Sequence, residues 1–379
     1  MHLSRRDFAK LSALGLAAQL APQLNSSLGG QTMPASPDSG KVGYCLIGLG
    51  RISTLFAGGI QGTTNSRVTA LVSGHPEKAA QWAEKYGVPR ESIYNYENMD
   101  AIRDNKAVQA VYIGLPNSMH AEYTIRSAKA GKHVLCEKPM ASTVPEAESM
   151  IAACDKAGVK LMIAYRCHYE TTNLRAVQLI RDGALGKVQS IQSAFGFSCD
   201  PSDWRLKKAL AGGGPLFDVG IYCLNACRYL TGEEPEHIAA YSSTDAGDPR
   251  FREVEENVAW VMRFPSGVVA TCNTTYGSNM DGYFRVYGTK GWLEVNPAFS
   301  YDGLRLTAAY RQDDGKYIQL DEPNAEKIPY HFKLEANHFS QCVLENKTPK
   351  TTGEEGIRDM RYIREIYRSA GVKNGISEA

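Results

Sequence analysis

From Val42 to about Tyr165, short apolar runs alternate with amphipathic stretches, and this alternation restricts the fold more than any other feature of the chain. The runs are "KVGYCLIGLG", "SRVTALVSG", "VQAVYIGLP", "KHVLCEKP" and "VKLMIAY". Between them lie "HPEKAAQWAEKYG", "NSMHAEYTIRSAKAGK" and "STVPEAESMIAACDKAG". These read as helices, with Pro76 near one start, Gly87 at its end, and Ser142 or Thr143 capping another. Strands alternating with helices at short spacing form a parallel, doubly wound sheet. A Rossmann-like α/β domain is therefore expected over residues 42–165.

After Arg166 the pattern changes. The helix "TTNLRAVQLIRDG" leads into "KVQSIQSAFGF", and strand-like runs then crowd together: "EHIAAYSST", "ENVAWVMRF", "GVVATCNTTY", "DGYFRVYGT" and "GWLEVNP". Turn signals at Pro265-Ser266-Gly267 and Gly288–Gly291 separate them. The spacing predicts an α+β domain over residues 166–379 with a large, mostly antiparallel open sheet, whose closing helices pack back on the first domain. A chain of 379 residues, 43% hydrophobic and 22% charged, has enough apolar surface for two such units. A net charge of +1 without a basic stripe argues against nucleic acid and anionic membrane as partners. The nine cysteines form no C-x-x-C pair and no zinc-spaced cluster, so buried thiols and no metal are expected.

The N-terminus reads differently. In "MHLSRRDFAKLSALGLAAQLAPQ", Arg5 and Arg6 precede an apolar run too short to span a bilayer. Residues 1–24 are read as a twin-arginine export signal, the alternative being an amphipathic helix, and residues 25–41 as a flexible arm rich in Ser, Gly and Pro. The expected partner is the twin-arginine export machinery, and the expected location is periplasmic.

Three stretches carry the chemistry. In "GLGRIS", Gly48 permits a tight turn and Gly50 allows backbone to approach a diphosphate at a helix N-terminus. The second strand ends in Ser73-Gly74, with Lys78 one turn on, and not in the acid that holds an NAD ribose. That favours NADP, although Lys78 also suits a solvated helix face. In "CEKP", Lys138 stands at the carboxyl edge of the sheet, where a cation can bind a substrate hydroxyl and lower a neighbouring pKa. In "GGGPLFDVGIY", Asp218 and Tyr222 are four apart, one helical face, where an acid and a phenol can meet Lys138. Spacing alone also allows Asp218 to be a first-turn carboxylate on the helix dipole.

Together "GLG", "EKP" and "GGG-x-L-x-D-x-G-x-Y" resemble the glucose–fructose oxidoreductase / inositol dehydrogenase family from Val42 to near the C-terminus. Most of that family has His where this chain has Tyr222. The tyrosine, with "LMIAYRCHYE", "WRLKKALAGGG" and the export signal, looks most like the glucose–fructose oxidoreductase branch. The resemblance implies tightly bound NADP, oxidation of an aldose at C1 to a lactone, and reduction of a second sugar by the same cofactor. It implies catalytic roles for Lys138, Asp218 and Tyr222. Its cofactor contacts fall on Gly48, Gly50, Arg51, Ile52, Ser73, Gly74, Lys78, Leu115, Asn117, His120, Glu137, Lys138, Arg166, Trp204, Arg205 and Tyr301. His168 would join the catalytic three as a sugar contact, and the assembly would be a homodimer or homotetramer. A sugar or inositol dehydrogenase with dissociable cofactor, or a non-catalytic sugar-binding protein, are the other readings.

Overall fold

The computed structural model describes residues 40–372. The export segment and most of the arm lie outside the described residues.

The first sheet is parallel throughout: β1 (Val42–Ile47), β2 (Ser66–Val72), β3 (Ile93–Tyr94), β4 (Ala110–Ile113), β5 (His133–Glu137) and β6 (Leu161–Ala164), in the order β3-β2-β1-β4-β5-β6. The two-residue β3 is too short to show in the sequence pattern. Helices α1 (Arg51–Gln61), α2 (Pro76–Tyr86), α3 (His120–Lys129) and α4 (Val144–Ala157) make the connections. Thr143 caps α4 through a capping box with Glu146, and Gly158 ends the helix in the left-handed conformation. Strand order reverses between β1 and β4, so a crevice opens beyond their carboxyl ends, where such sheets bind ligands.

Helix α5 (Thr171–Arg181) leads to the second sheet: β7 (Val188–Gly196), β8 (His237–Ser243), β9 (Asn257–Arg263), β10 (Val269–Thr275), β11 (Met280–Gly288), β12 (Gly291–Val295), β13 (Arg305–Arg311) and β14 (Tyr317–Pro323). Its order is β14-β13-β12-β11-β7-β10-β9-β8, antiparallel except for the pair β7–β10. The polar run between Leu304 and Pro323 hides the hairpin β13–β14, because its outer strand alternates exposed and half-buried residues. Between β7 and β8 run the short α6 (Lys208–Ala211) and α7 (Ile221–Thr231).

The closing helices are α8 (Tyr330–Leu344) and α9 (Gly353–Ser369). Helix α8 lies against α1 so closely that a Cβ on Gly59 would sit 2.7 Å from the Lys333 backbone nitrogen. Beneath this contact Phe56 stacks on Tyr112 with ring centroids 3.7 Å apart. On the opposite face of the parallel sheet, Val111, Ile163 and Ile363 belong to one apolar core with Leu224, Phe284 and Trp260. Both sheets therefore meet around α7, the helix that carries Tyr222.

Candidate active site

The crevice begins where β1 ends. Gly48 has φ +83°, and a Cβ there would sit 2.6 Å from Leu115 Cδ2 and 2.7 Å from the Gly114 carbonyl oxygen. Glycine is thus required by backbone and neighbours alike. At Gly50 the opposite holds: a Cβ would meet only the Gly114 oxygen, at 4.0 Å. The protein itself does not fill that space. Helix α1 starts at Arg51 with no side-chain cap, so its first N–H groups are available to an anion. Open space over Gly50 and an uncapped helix start fit the diphosphate of a dinucleotide. Arg51 is exposed and Ile52 half-buried beside this turn.

Ser73 follows β2, and its hydroxyl accepts from the His75 backbone N–H at 3.0 Å. That hydroxyl closes the local turn, while Lys78 is exposed. The half-buried Leu115 packs over Gly48. Asn117 and His120 are both buried and direct their polar atoms to the protein. Asn117 Nδ2 donates to the Ala211 carbonyl at 2.7 Å. The His120 ring nitrogens lie 2.8 Å from the Pro139 oxygen and 3.0 Å from the Leu115 oxygen, tying together the loops after β4 and β5. Glu137, buried at the end of β5, accepts from Tyr112 Oη at 2.6 Å.

Lys138 is the next residue, and its peptide bond to Pro139 is cis. Its Nζ donates to Asp218 Oδ1 at 3.0 Å and to the Asp218 carbonyl oxygen at 2.8 Å. It also lies 4.8 Å from the centre of the Tyr222 ring. The lysine, acid and phenol do converge, but the backbone that brings them together is not a plain α-helix. Residues Leu216–Gly220 form a π-helical turn leading into α7, so Asp218 and Tyr222 are not simple neighbours on one regular face. Ahead of this turn, Glu255 straps the triple glycine: its Oε2 accepts from the Gly214 N–H at 3.0 Å, and its Oε1 from Tyr367 Oη at 2.8 Å. A Cβ on Gly214 would collide with Glu255 at 2.7 Å.

Asp218 has two further partners. Arg205 Nε donates to its Oδ2 at 2.8 Å, and Tyr276 Oη to the same oxygen at 2.9 Å. Arg205 therefore contacts the acid in this arrangement, with its guanidinium also over the half-buried Trp204 ring. Burial opposes the Asp218 charge, but Lys138 and Arg205 outweigh it and hold the carboxyl below its usual range. Burial likewise opposes the Lys138 charge, and Asp218 and Tyr222 outweigh it, raising the ammonium above its ordinary value. Tyr222 departs from expectation. Burial dominates and pushes its phenol up to about 12, although Arg166 and Lys138 both pull it down. The ammonium moderates this phenol without bringing it below its ordinary value.

Arg166 forms the far wall. It is buried, donates to the Phe299 and Ser300 carbonyls, and donates to His331 Nδ1 at 3.1 Å. Its guanidinium stacks on both Tyr222 (5.1 Å) and Tyr301 (4.5 Å). His168 lies behind this wall: its Nε2 is 2.7 Å from Asn225 Oδ1, and burial lowers its pKa to about 4. Sequence reasoning missed Tyr276 and Glu255. Each follows or precedes a strand with no motif around it, so only the fold reveals its partner.

Models of known families match both halves. One, described as "Oxidoreductase family, NAD-binding Rossmann fold", covers residues 42–165, and another, "GFO/IDH/MocA C-terminal domain", covers residues 173–294. A crystal structure of aldose–aldose oxidoreductase from Caulobacter crescentus, complexed with glycerol, is 47% identical, with a TM-score of 0.82 over 87% of this chain and 98% of that one. The D-xylose 1-dehydrogenase [NADP(+)] of Haloarcula marismortui is 32% identical over 81% of this chain and 85% of its own length. A 3-ketoreductase of Actinomadura kijaniata, solved with NADP and TDP-benzene, is 25% identical with a TM-score of 0.73 over 84% and 95% of the two chains. With a dinucleotide crevice, a lysine–aspartate–tyrosine cluster at its lip and relatives of this closeness, the chain belongs to the GFO/IDH/MocA family of oxidoreductases.

Proposed function

We propose that this chain is an NADP-dependent aldose oxidoreductase that keeps its cofactor bound, oxidises one sugar at C1 to the lactone and reduces a second sugar. The observation that carries the reading is the convergence of Lys138, Asp218 and Tyr222 at the lip of the crevice. The likeness to the Caulobacter aldose–aldose oxidoreductase supports the sugar class. The strand end without an acid at Ser73-Gly74 and the exposed Lys78 support NADP.

The residues present would hold the cofactor at Gly48, Gly50 and the α1 start for the diphosphate, and at Lys78 for a 2′-phosphate. A bound nicotinamide supplies the hydride acceptor and donor. Lys138 donates to the reacting hydroxyl and stabilises the negative charge that develops on its oxygen. Tyr222 takes the hydroxyl proton as general base, and Asp218 orients Lys138 while its remaining acceptor capacity holds a second hydroxyl. Arg166, held between the Tyr222 and Tyr301 rings, screens that side of the phenol from bulk solvent.

The paired arginines near the start support export through the twin-arginine route to the periplasm, already folded and loaded. There, free nicotinamide nucleotides are scarce, and a retained cofactor recycled by a second sugar removes the need for them. The likeness to the Haloarcula D-xylose dehydrogenase favours a second reading, a sugar dehydrogenase that releases its nucleotide each turn. Extensive dialysis followed by mass spectrometry separates the two. Retained, stoichiometric NADP whose absorbance near the reduced-nicotinamide band rises with one sugar and falls with another supports the first. A nucleotide-free protein that turns over only with added NADP supports the second.

A further inference from the structure

A second polar layer lies behind Tyr222. Beside it is a cavity of ≈ 10 Å³, the least space that one water needs, lined by Lys138, Tyr165, Tyr222, Asn225 and Tyr229 and closed by the apolar Ile221 and Cys167. The Tyr165 hydroxyl is buried, and no group among the described residues meets it in good hydrogen-bond geometry, although the Asp359 carboxylate lies near enough to add to burial in raising its pKa well above the ordinary value. A buried hydroxyl left unpaired is costly, and a water in the adjoining cavity would satisfy it.

Beyond Tyr165 stands a cluster of charges. Arg228 Nη1 donates to Asp359 Oδ1 at 2.6 Å and to Glu355 Oε1 at 2.7 Å, while Arg228 Nε donates to Glu234 Oε2 at 2.7 Å. Arg358 pairs with Glu234 and Glu355. Three carboxylates thus face two guanidinium groups, leaving one negative charge unmatched. Asn225 Nδ2 donates to Asp359 Oδ2 at 2.9 Å, and His168 joins through the other end of the same amide. Asp359 itself is fully buried. Burial, opposed by Arg228 and reinforced by Glu355, lifts its carboxyl to about 6, with Tyr165 also close enough to be felt. On the outer side Lys350 donates to the His168 carbonyl at 2.7 Å.

The chemistry needs such a layer. Tyr222 carries its own proton at neutral pH, since burial dominates its ionisation. It can accept a proton from a sugar hydroxyl only while it passes its own proton on. Lys138 is already fully protonated, with two of its three N–H groups on Asp218 and the third left for the substrate, so it cannot take the proton. We propose that the cavity holds one water and that Tyr222, this water, Tyr165 and Asp359 form a buried proton relay ending in the Arg228 carboxylate cluster. The inference rests on the reading of Tyr222 as the base. As the hydride leaves the sugar carbon, the hydroxyl proton moves to the Tyr222 oxygen. The Tyr222 proton moves to the water, a water proton to the Tyr165 oxygen, and the Tyr165 proton to Asp359. The lactone and a protonated Asp359 remain, and reduction of the second sugar runs the same transfers backwards. A proton stored inside the protein serves a reaction whose two halves need it in turn.

Tyr165→Phe removes one oxygen and keeps the ring. Its expected signature is retained cofactor and melting temperature, with single-turnover reduction of the nucleotide slowed at least about tenfold, below the full contribution of a direct general base, and an altered pH profile. A second measurement needs no sugar. Infrared difference spectra of the holoprotein should show a carboxylic-acid band titrating near pH 6, lost in Asp359→Asn and shifted in Tyr165→Phe. A competent wild type matched in rate and pH profile by Tyr165→Phe overturns the relay alone, as does a spectrum with no Asp359 band. A wild type that no sugar reduces overturns the reading of the site.

Discussion

Replacing Asp218 by Asn should destabilise the fold more than removing either cation that faces it. The acid is the shared partner of Lys138, Arg205 and Tyr276, at 3.0, 2.8 and 2.9 Å. Side-chain exposure is 11% for Lys138 and 18% for Asp218, so solvent screens that pair little, whereas Arg205 at 34% is better hydrated. The amide keeps the shape and removes the charge, leaving two cations side by side. Stranding one partner of a buried pair costs about 3–5 kcal/mol. Lys138 keeps the Asp218 carbonyl and Arg205 keeps Asp203, so the lower end, ~3 kcal/mol, is expected. Lys138→Met instead leaves Asp218 paired with Arg205 and Tyr276, so no charge is stranded, and loses the two hydrogen bonds from the ammonium, ~2 kcal/mol. The double variant should therefore be more stable than the two single losses predict. Urea unfolding of the four proteins at neutral pH measures this. Asp218→Asn costing less than Lys138→Met would refute the arrangement. The sign with pH follows from the depressed Asp218 pKa. Its contribution is complete above the unfolded carboxylate value of about 3.9 and is lost as pH falls from there through the folded value. Acid should thus destabilise wild type more steeply than Asp218→Asn.

Tyr222→Phe should retain the nucleotide but slow hydride transfer at least ~100-fold, the lower range of general-base catalysis, as read by single-turnover absorbance. Near-normal turnover would remove Tyr222 from the chemistry. Gly48→Ala forces a side chain to φ +83° and into Leu115 and the Gly114 carbonyl. It should cost at least about 1–3 kcal/mol and abolish nucleotide retention, and a variant that melts like wild type with nucleotide bound would contradict the assigned turn.

Much of the fold was legible because its determinants are local. Alternating apolar runs, a glycine turn after β1, and cap residues such as Thr143 and Gly87 act within a few residues of their own element. The hairpin β13–β14 escaped because its outer strand is polar and solvent-facing. So did the parallel pair β7–β10, which joins strands far apart in sequence. In the site, Lys138, Asp218 and Tyr222 were readable from motifs, since each sits at a strand end or beside a glycine turn. The forces on them were not. Arg205 and Tyr276 reach Asp218 from separate loops, and Glu255 holds the glycine turn from across the second sheet. The net rise of the Tyr222 phenol depends on burial, which no spacing rule conveys.

In the proposed reaction one bound nicotinamide beside Lys138 and Tyr222 carries hydride from one sugar to another. The most direct test gives the dialysed protein, with no added nucleotide, an aldose deuterated at C1 together with an unlabelled acceptor sugar, and follows the label by mass. Deuterium is expected on the reduced carbon of the acceptor over many turnovers, undiluted by unlabelled NADPH added to the medium. An acceptor that stays unlabelled, or whose label is washed out by that added nucleotide, would contradict it.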